Sequence, residues 1–216
     1  MEQDFVDTAR ESEKAPKGWP AALVMFHLGM WRERMRNSMS ELAEGRPATP
    51  PPPREQQDEI NDRELAGAIG IPLGDAAARC DHLLSELIEV YSRVGEQPFD
   101  WYGTKTTTEA VLRSSYIHTS LHMYGYHLEN GNLQEGHEAI ENAADRLRSI
   151  DAPDFVLGVA LYNLAIVRIA QGRKDEAIEL LRDGFTRRPD LKEHAHGDAD
   201  LGDLRDDPRF KQLVKT

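Results

Sequence analysis

Two histidines spaced four residues apart carry the clearest chemical signal in this sequence of 216 residues. His118 and His122 fall within a helical pattern, and residues four apart lie one above the other on the same face of a helix. At that spacing the β-carbons are ~6 Å apart, so both imidazoles can bind one metal ion. The pair therefore indicates a candidate site for a divalent metal.

A third histidine comes from a helical segment earlier in the chain. His27 falls near the middle of a wide apolar arc, so we predict that its ring points inward. If this helix and the helix of His118 and His122 are neighbours in a bundle, three imidazoles can meet and leave an open coordination position. A hydrogen-bonded core histidine is the alternative for His27. His127 lies on the opposite side of its helix and is excluded from the set.

Helical periodicity recurs along the chain, is broken at proline and glycine, and is nowhere replaced by the alternating pattern of strands. The sequence therefore predicts an all-α protein. Thr106 and Glu109 form a capping box that opens the helix carrying His118 and His122. The predicted helices cover residues 2–14, 19–44, 75–94, 106–130, 132–149, 154–171 and 174–187.

Charge and cysteine content exclude several classes of protein. The chain has 26 Lys and Arg against 38 Asp and Glu, and this net charge of −12 argues against binding to nucleic acid or to anionic lipid. The longest apolar run, residues 21–26, is far shorter than the ~20 residues of a membrane span. A single cysteine, Cys80, cannot form an internal disulfide. We therefore expect a cytoplasmic protein without a membrane or nucleic-acid partner.

The histidine-bearing part of the chain resembles a known superfamily. Trp19 is followed by an apolar stretch, a His-Leu pair at His27 and a second tryptophan, Trp31, and an Ile-Asn pair ends at Asn61. This pattern resembles the signature of DinB-like four-helix bundles, which include mycothiol-dependent maleylpyruvate isomerases, bacillithiol transferases and ClbS/DfsB-type proteins. The resemblance covers residues 1–130.

The resemblance implies a ligand set and a class of substrate. The superfamily's metal triad corresponds here to His27, His118 and His122, which implies a divalent metal, zinc or nickel, and a small-molecule substrate used with a low-molecular-weight thiol. Trp31 and Asn61 are candidate substrate-binding residues at the metal end of a pocket, although Trp31 also fits an ordinary core position. ClbS/DfsB-type proteins commonly lack the complete triad, so a protein without metal is the alternative. Homodimers are common in the superfamily.

The second part of the chain resembles a tetratricopeptide repeat (TPR). One good copy and one doubtful copy are fewer than the three repeats that a free-standing solenoid needs. We therefore predict a DinB-like bundle over residues 1–130 and TPR-like helical hairpins over residues 131–216 that pack on it. The residues that carry the repeat pattern are Leu164, Ala165, Gly172, Ala177, Leu181, Gly184 and Pro189.

Three functions remain open from the sequence. The first is a metal-dependent enzyme of detoxification type, which transfers a thiol to a small electrophile or hydrolyses it. The second is a non-catalytic module whose TPR-like half binds a protein partner. The third is a self-protection protein of ClbS/DfsB type that works without metal. The sequence identifies neither the substrate nor the partner.

Overall fold

The computed structural model describes residues 2–3, 5–6 and 18–215, which contain ten α-helices and no β-sheet. The predicted all-α fold is confirmed. The predicted first helix, over residues 2–14, lies mostly outside the described residues. The helices are α1 (Ala21–Ala43), α2 (Gln57–Gly67), α3 (Leu73–Val94), α4 (Thr107–Leu112), α5 (Thr119–Glu129), α6 (Leu133–Ser149), α7 (Asp154–Ala170), α8 (Lys174–Arg187), α9 (Leu191–Gly197) and α10 (Pro208–Leu213).

The chain divides into two compact units, Met1–Gly136 and His137–Thr216, shortly after the boundary that was predicted at residue 130. In the first unit, α1 packs along α3. Gly29 faces α3, where a Cβ added to it would lie 2.8 Å from Nη1 of Arg79 and 3.6 Å from Cα of Cys80. An apolar core fills the space beside this pair, formed by Met30, Trp31, Met35, Met39, Ile60, Leu87, Val90, Phe99, Trp101 and Ala110.

The helix that carries the histidine pair is continuous but not uniform. It begins at α4, passes through a π-helical turn at Arg113–His118 and continues as α5. The predicted cap is confirmed, since the Glu109 backbone N–H donates to Oγ1 of Thr106 at 3.2 Å. A π-helical turn bonds each residue to the fifth one along the chain instead of the fourth, and such turns occur often at functional sites.

The second unit is built around the helix pair α7 and α8. A Cβ on Gly158 would lie 3.2 Å from the Gly184 carbonyl oxygen, and one on Gly184 equally close to the Gly158 oxygen, so the small residues let the helices approach closely. The tail that follows closes the core with Leu201, Leu204 and Phe210. This packing agrees with helical hairpins, and the TPR assignment stays a prediction.

Candidate metal centre

Two helical segments of the first unit supply the three predicted histidines. His27 lies in the second turn of α1, which begins after Pro20, whose carbonyl accepts the first helical hydrogen bond from the Leu23 N–H at 2.8 Å. His118 is the last residue of the π-helical turn, and His122 lies one α-helical turn further on, in α5. Each position follows from the helical register that the sequence predicts.

The structure brings the three imidazoles together. Nε2 of His118 lies 3.2 Å from Nε2 of His27 and 3.1 Å from Nε2 of His122. The potential ligand nitrogens all lie within 4.8 Å of one another, so the three side chains are close enough to bind one metal ion. His27 is buried, and His118 and His122 are half-buried.

All three rings are neutral at neutral pH. Burial lowers the pKa of His27 to about 3, and the nearby His122 and Arg34 lower it further. Burial also lowers the pKa of His122 to about 4 and holds the pKa of His118 well below its usual range. A histidine binds a metal ion in its neutral form, so the site does not have to lose protons before an ion enters.

The donor geometry fits a metal ion better than it fits hydrogen bonds alone. Each nitrogen of a neutral imidazole carries either one N–H or one lone pair, so Nε2 of His118 cannot make a full hydrogen bond to both of its neighbours. Tetrahedral bonds of about 2.0–2.1 Å to zinc would place ligand nitrogens about 3.3 Å apart, close to the two observed separations. Nδ1 of His27 is buried without a partner among the described residues, so the ring makes its polar contact through Nε2.

Tryptophan rings hold the histidines in place. The Trp19 ring stacks on His122, with 5.9 Å between ring centroids and 10° between planes, and lies 5.1 Å from the His27 ring. The rings of Trp31 and His27 form a T-shaped pair, with 6.3 Å between their centroids. Metal-binding histidines usually donate their second N–H to an oxygen that orients the ring. At His27, ring packing replaces that hydrogen bond.

A cavity of about 240 Å³ opens on the three histidines. The two predicted substrate-binding residues line it and bond to each other, because Nε1 of Trp31 donates to Oδ1 of Asn61 at 3.1 Å. Trp31 is also part of the apolar core. Its side chain therefore serves both as a core residue and as part of the cavity wall. The cavity is lined by His27, Trp31, Gln57, Asn61, Trp101, Tyr102, Arg113, Ser114, His118 and His122.

Half of the cavity wall was not predicted from the sequence. Trp101 and Tyr102 come from the connection between α3 and α4, where Tyr102 has a positive φ of 55° and Gly103 follows with 91°. An aromatic pair before a glycine, just upstream of a capping box, is the signal that could have found them. Gln57 begins α2, whose segment had no clear pattern, and Arg113 and Ser114 come from the π-helical turn.

Two other side chains of the first unit that could be reactive are buried in its core and lie outside the metal set. His127 is buried against the rings of Phe5 and Tyr126, as its exclusion from the metal set predicted. Cys80 is buried, and burial raises the pKa of its thiol to about 12, although the neighbouring Arg32 partly offsets the effect. A thiol with such a pKa is not a nucleophile at neutral pH.

Comparisons of the chain with protein-family models, with curated proteins and with solved structures found no match. In the described part of the chain, no helix is both long enough and apolar enough to cross a membrane. The site itself therefore carries the functional argument.

Proposed function

We propose that this protein is a divalent-metal-dependent enzyme that acts on a small electrophilic molecule by thiol transfer or hydrolysis. The observation that carries the proposal is the convergence of three neutral imidazole nitrogens at the wall of a cavity. Three protein nitrogens leave a coordination position open, which distinguishes catalytic from structural zinc sites. The resemblance of residues 1–130 to DinB-like bundles supports the same ligand set and favours zinc or nickel.

The residues of the chain have separate tasks in this proposal. His27, His118 and His122 would hold the ion, and the ion would supply Lewis-acid activation of a thiol or water. Trp31 and Asn61 orient the substrate. The indole N–H of Trp31 donates to Oδ1 of Asn61, which leaves the amide NH₂ of Asn61 as the donor for the substrate. The aromatic side chains of the wall offer a packing surface to an apolar part of the substrate.

Equilibrium metal titration of protein purified without a histidine tag tests the proposal. We expect the wild type to bind about one equivalent of Zn²⁺ or Ni²⁺ per chain, and His118→Ala to bind on the order of 100-fold more weakly. His82→Gln is the matched control, because that imidazole is 72% exposed and lies on α3. Equal affinity of the wild type and His118→Ala would contradict the proposal.

Chelation separates the proposed enzyme from the metal-independent alternative. Activity towards electrophiles should disappear in the metal-free protein and return when the metal is restored. Activity that survives complete removal of the metal would instead favour a self-protection protein of ClbS/DfsB type. Such a protein would use the same cavity, with Trp31 as an aromatic contact and Asn61 as a polar contact to its ligand.

A further inference from the structure

The charges around the cavity differ from those of the whole chain. Acidic residues outnumber basic ones by 38 to 26 in the sequence, yet none of the residues that line the cavity is an aspartate or a glutamate. Arg113 is the single lining residue with a permanent charge. The other polar lining groups, on Gln57, Asn61 and Ser114, are neutral hydrogen-bonding groups.

The π-helical turn explains how a guanidinium reaches the same cavity as the histidines. In a regular α-helix, residues five apart point about 140° away from each other. Within the turn at Arg113–His118 the hydrogen bonds join residues five apart, so its first and last residues lie on nearly the same side of the helix. Arg113 and His118 therefore both line the cavity. The irregular turn is what places a cation beside the metal-binding set.

Two more guanidinium groups lie against aromatic rings of the cavity wall. The Tyr102 ring has the Arg113 guanidinium 5.9 Å from its centroid and the Arg54 guanidinium 5.5 Å from it. Arg34 lies 5.2 Å from the centroid of Trp31 and pairs with Glu64. Burial raises the pKa of Tyr102, whereas Arg113, Arg34 and Arg54 all act to lower it.

We propose that the cavity binds a small anionic ligand, with a carboxylate or phosphate group held by Arg113 and the rest of the molecule facing the three histidines. The inference deepens the proposed function by naming the class of its substrate. A planar guanidinium binds both kinds of anion through paired hydrogen bonds. A volume of about 240 Å³ is below the ~300–1,000 Å³ of common ligand pockets, which limits the ligand to a small molecule.

The full-length protein, freed of metal with a chelator, provides a test that does not depend on the metal. Trp31 and Trp101 line the cavity, so tryptophan fluorescence reports binding. The probes are butyrate, inorganic phosphate and butyramide, titrated at constant ionic strength. We expect saturable binding of butyrate or phosphate. Butyramide should bind at least about tenfold more weakly, because hydrogen bonds to a charged group are the stronger ones. The tighter of the two anions identifies the ligand group.

Variants assign the effect to one side chain. Arg113→Gln should weaken binding of the anion by about tenfold or more, whereas Arg113→Lys should retain part of it because the charge remains. Arg54→Gln is the matched control: this arginine also contacts Tyr102 but does not line the cavity, and we expect a change of less than about twofold. Equal binding of butyrate and butyramide by the wild type would overturn the proposal even if Arg113→Gln does not fold. So would the absence of any anion binding, or unchanged affinity in a folded Arg113→Gln.

Discussion

The two units of the chain differ in what they bury. Every buried polar side chain in the described residues, tyrosines aside, belongs to the first unit, whereas the second unit buries apolar and small residues. Burying a polar group costs free energy unless it finds a partner, so a core that needs only stability avoids such groups. Of these buried polar residues, His27 and Ser114 line the cavity, so part of the difference between the units belongs to the site. The buried polar residues are His27, Arg32, Ser38, Thr104, Thr107, Ser114, Thr119, Ser120, His127 and Asn130.

The largest expected effect comes from the buried ion pair of the first unit. Arg32 is 1% exposed and pairs with Glu2, and its guanidinium also donates to Sγ of Cys80 at 2.9 Å and to Oγ1 of Thr119 at 3.2 Å. Glu2→Ala would leave this charge buried without its carboxylate and should lower the free energy of unfolding by about 3–5 kcal/mol, measured by urea denaturation.

Two further variants make the comparison between the units explicit. Glu2→Ala combined with Arg32→Met should regain most of the lost stability, because no uncompensated charge remains. In the second unit, Glu141 pairs with Arg168 at a more exposed position, and Glu141→Ala should cost about 1 kcal/mol or less. Similar losses for Glu2→Ala and Glu141→Ala would contradict the distinction between the units.

A cavity in the second unit should affect stability without affecting the site. Leu181 is fully buried in the core of that unit, so Leu181→Ala should lower the free energy of unfolding by about 3 kcal/mol. All three proposed metal ligands belong to the first unit, and we expect the metal affinity of the folded protein to change by less than about twofold. Thermal unfolding and metal titration measure the two quantities on the same sample, and a tenfold loss of affinity would show that the units are coupled.

Removal of the stacking tryptophan should affect binding more than folding. Trp19→Ala deletes the ring that packs on His27 and His122, and the loss of ring orientation should weaken metal binding by about tenfold. Trp19→Phe keeps an aromatic ring at this position and should restore most of the affinity. If Trp19→Ala binds the metal like the wild type, packing does not orient these rings.

The smallest expected effect is an acid sensitivity that comes from the histidines. Their folded-state pKa values lie below the ordinary value of 6.5, so the unfolded chain binds more protons below that pH and stability falls as the pH decreases. Between pH 6 and 5, the metal-free wild type should lose about 1 kcal/mol more than His122→Gln. His82→Gln is the control that should behave like the wild type. Equal pH dependence of the wild type and His122→Gln would contradict the buried, neutral state of the His122 ring.

Regular helical geometry made part of the fold and of the site predictable. The predicted range 174–187 coincides with α8, and the capping box at Thr106 was read directly from the sequence. Rotation of 100° per residue was enough to select His27, His118 and His122 and to exclude His127. These features depend on local periodicity, which the sequence contains.

The remaining features depend on irregular backbone or on distant contacts. In a regular α-helix, Arg113 and His118 would point in different directions. The π-helical turn brings both side chains to one cavity. Tyr102 reaches the wall through a left-handed backbone conformation in a loop without a repeating pattern. The pair of Glu2 and Arg32 joins residues far apart in the sequence, and a single sequence gives no signal for it.

X-ray absorption at the metal edge of the zinc- or nickel-loaded protein tests the central claim most directly. Three imidazole nitrogens at about 2.0–2.1 Å, together with one or more lighter ligands from solvent, are expected for the wild type. His118→Ala should lose one imidazole from this pattern or fail to retain the ion. A wild-type spectrum with fewer than two imidazoles, or with sulfur bound to the metal in the absence of added thiol, would contradict the proposed metal centre.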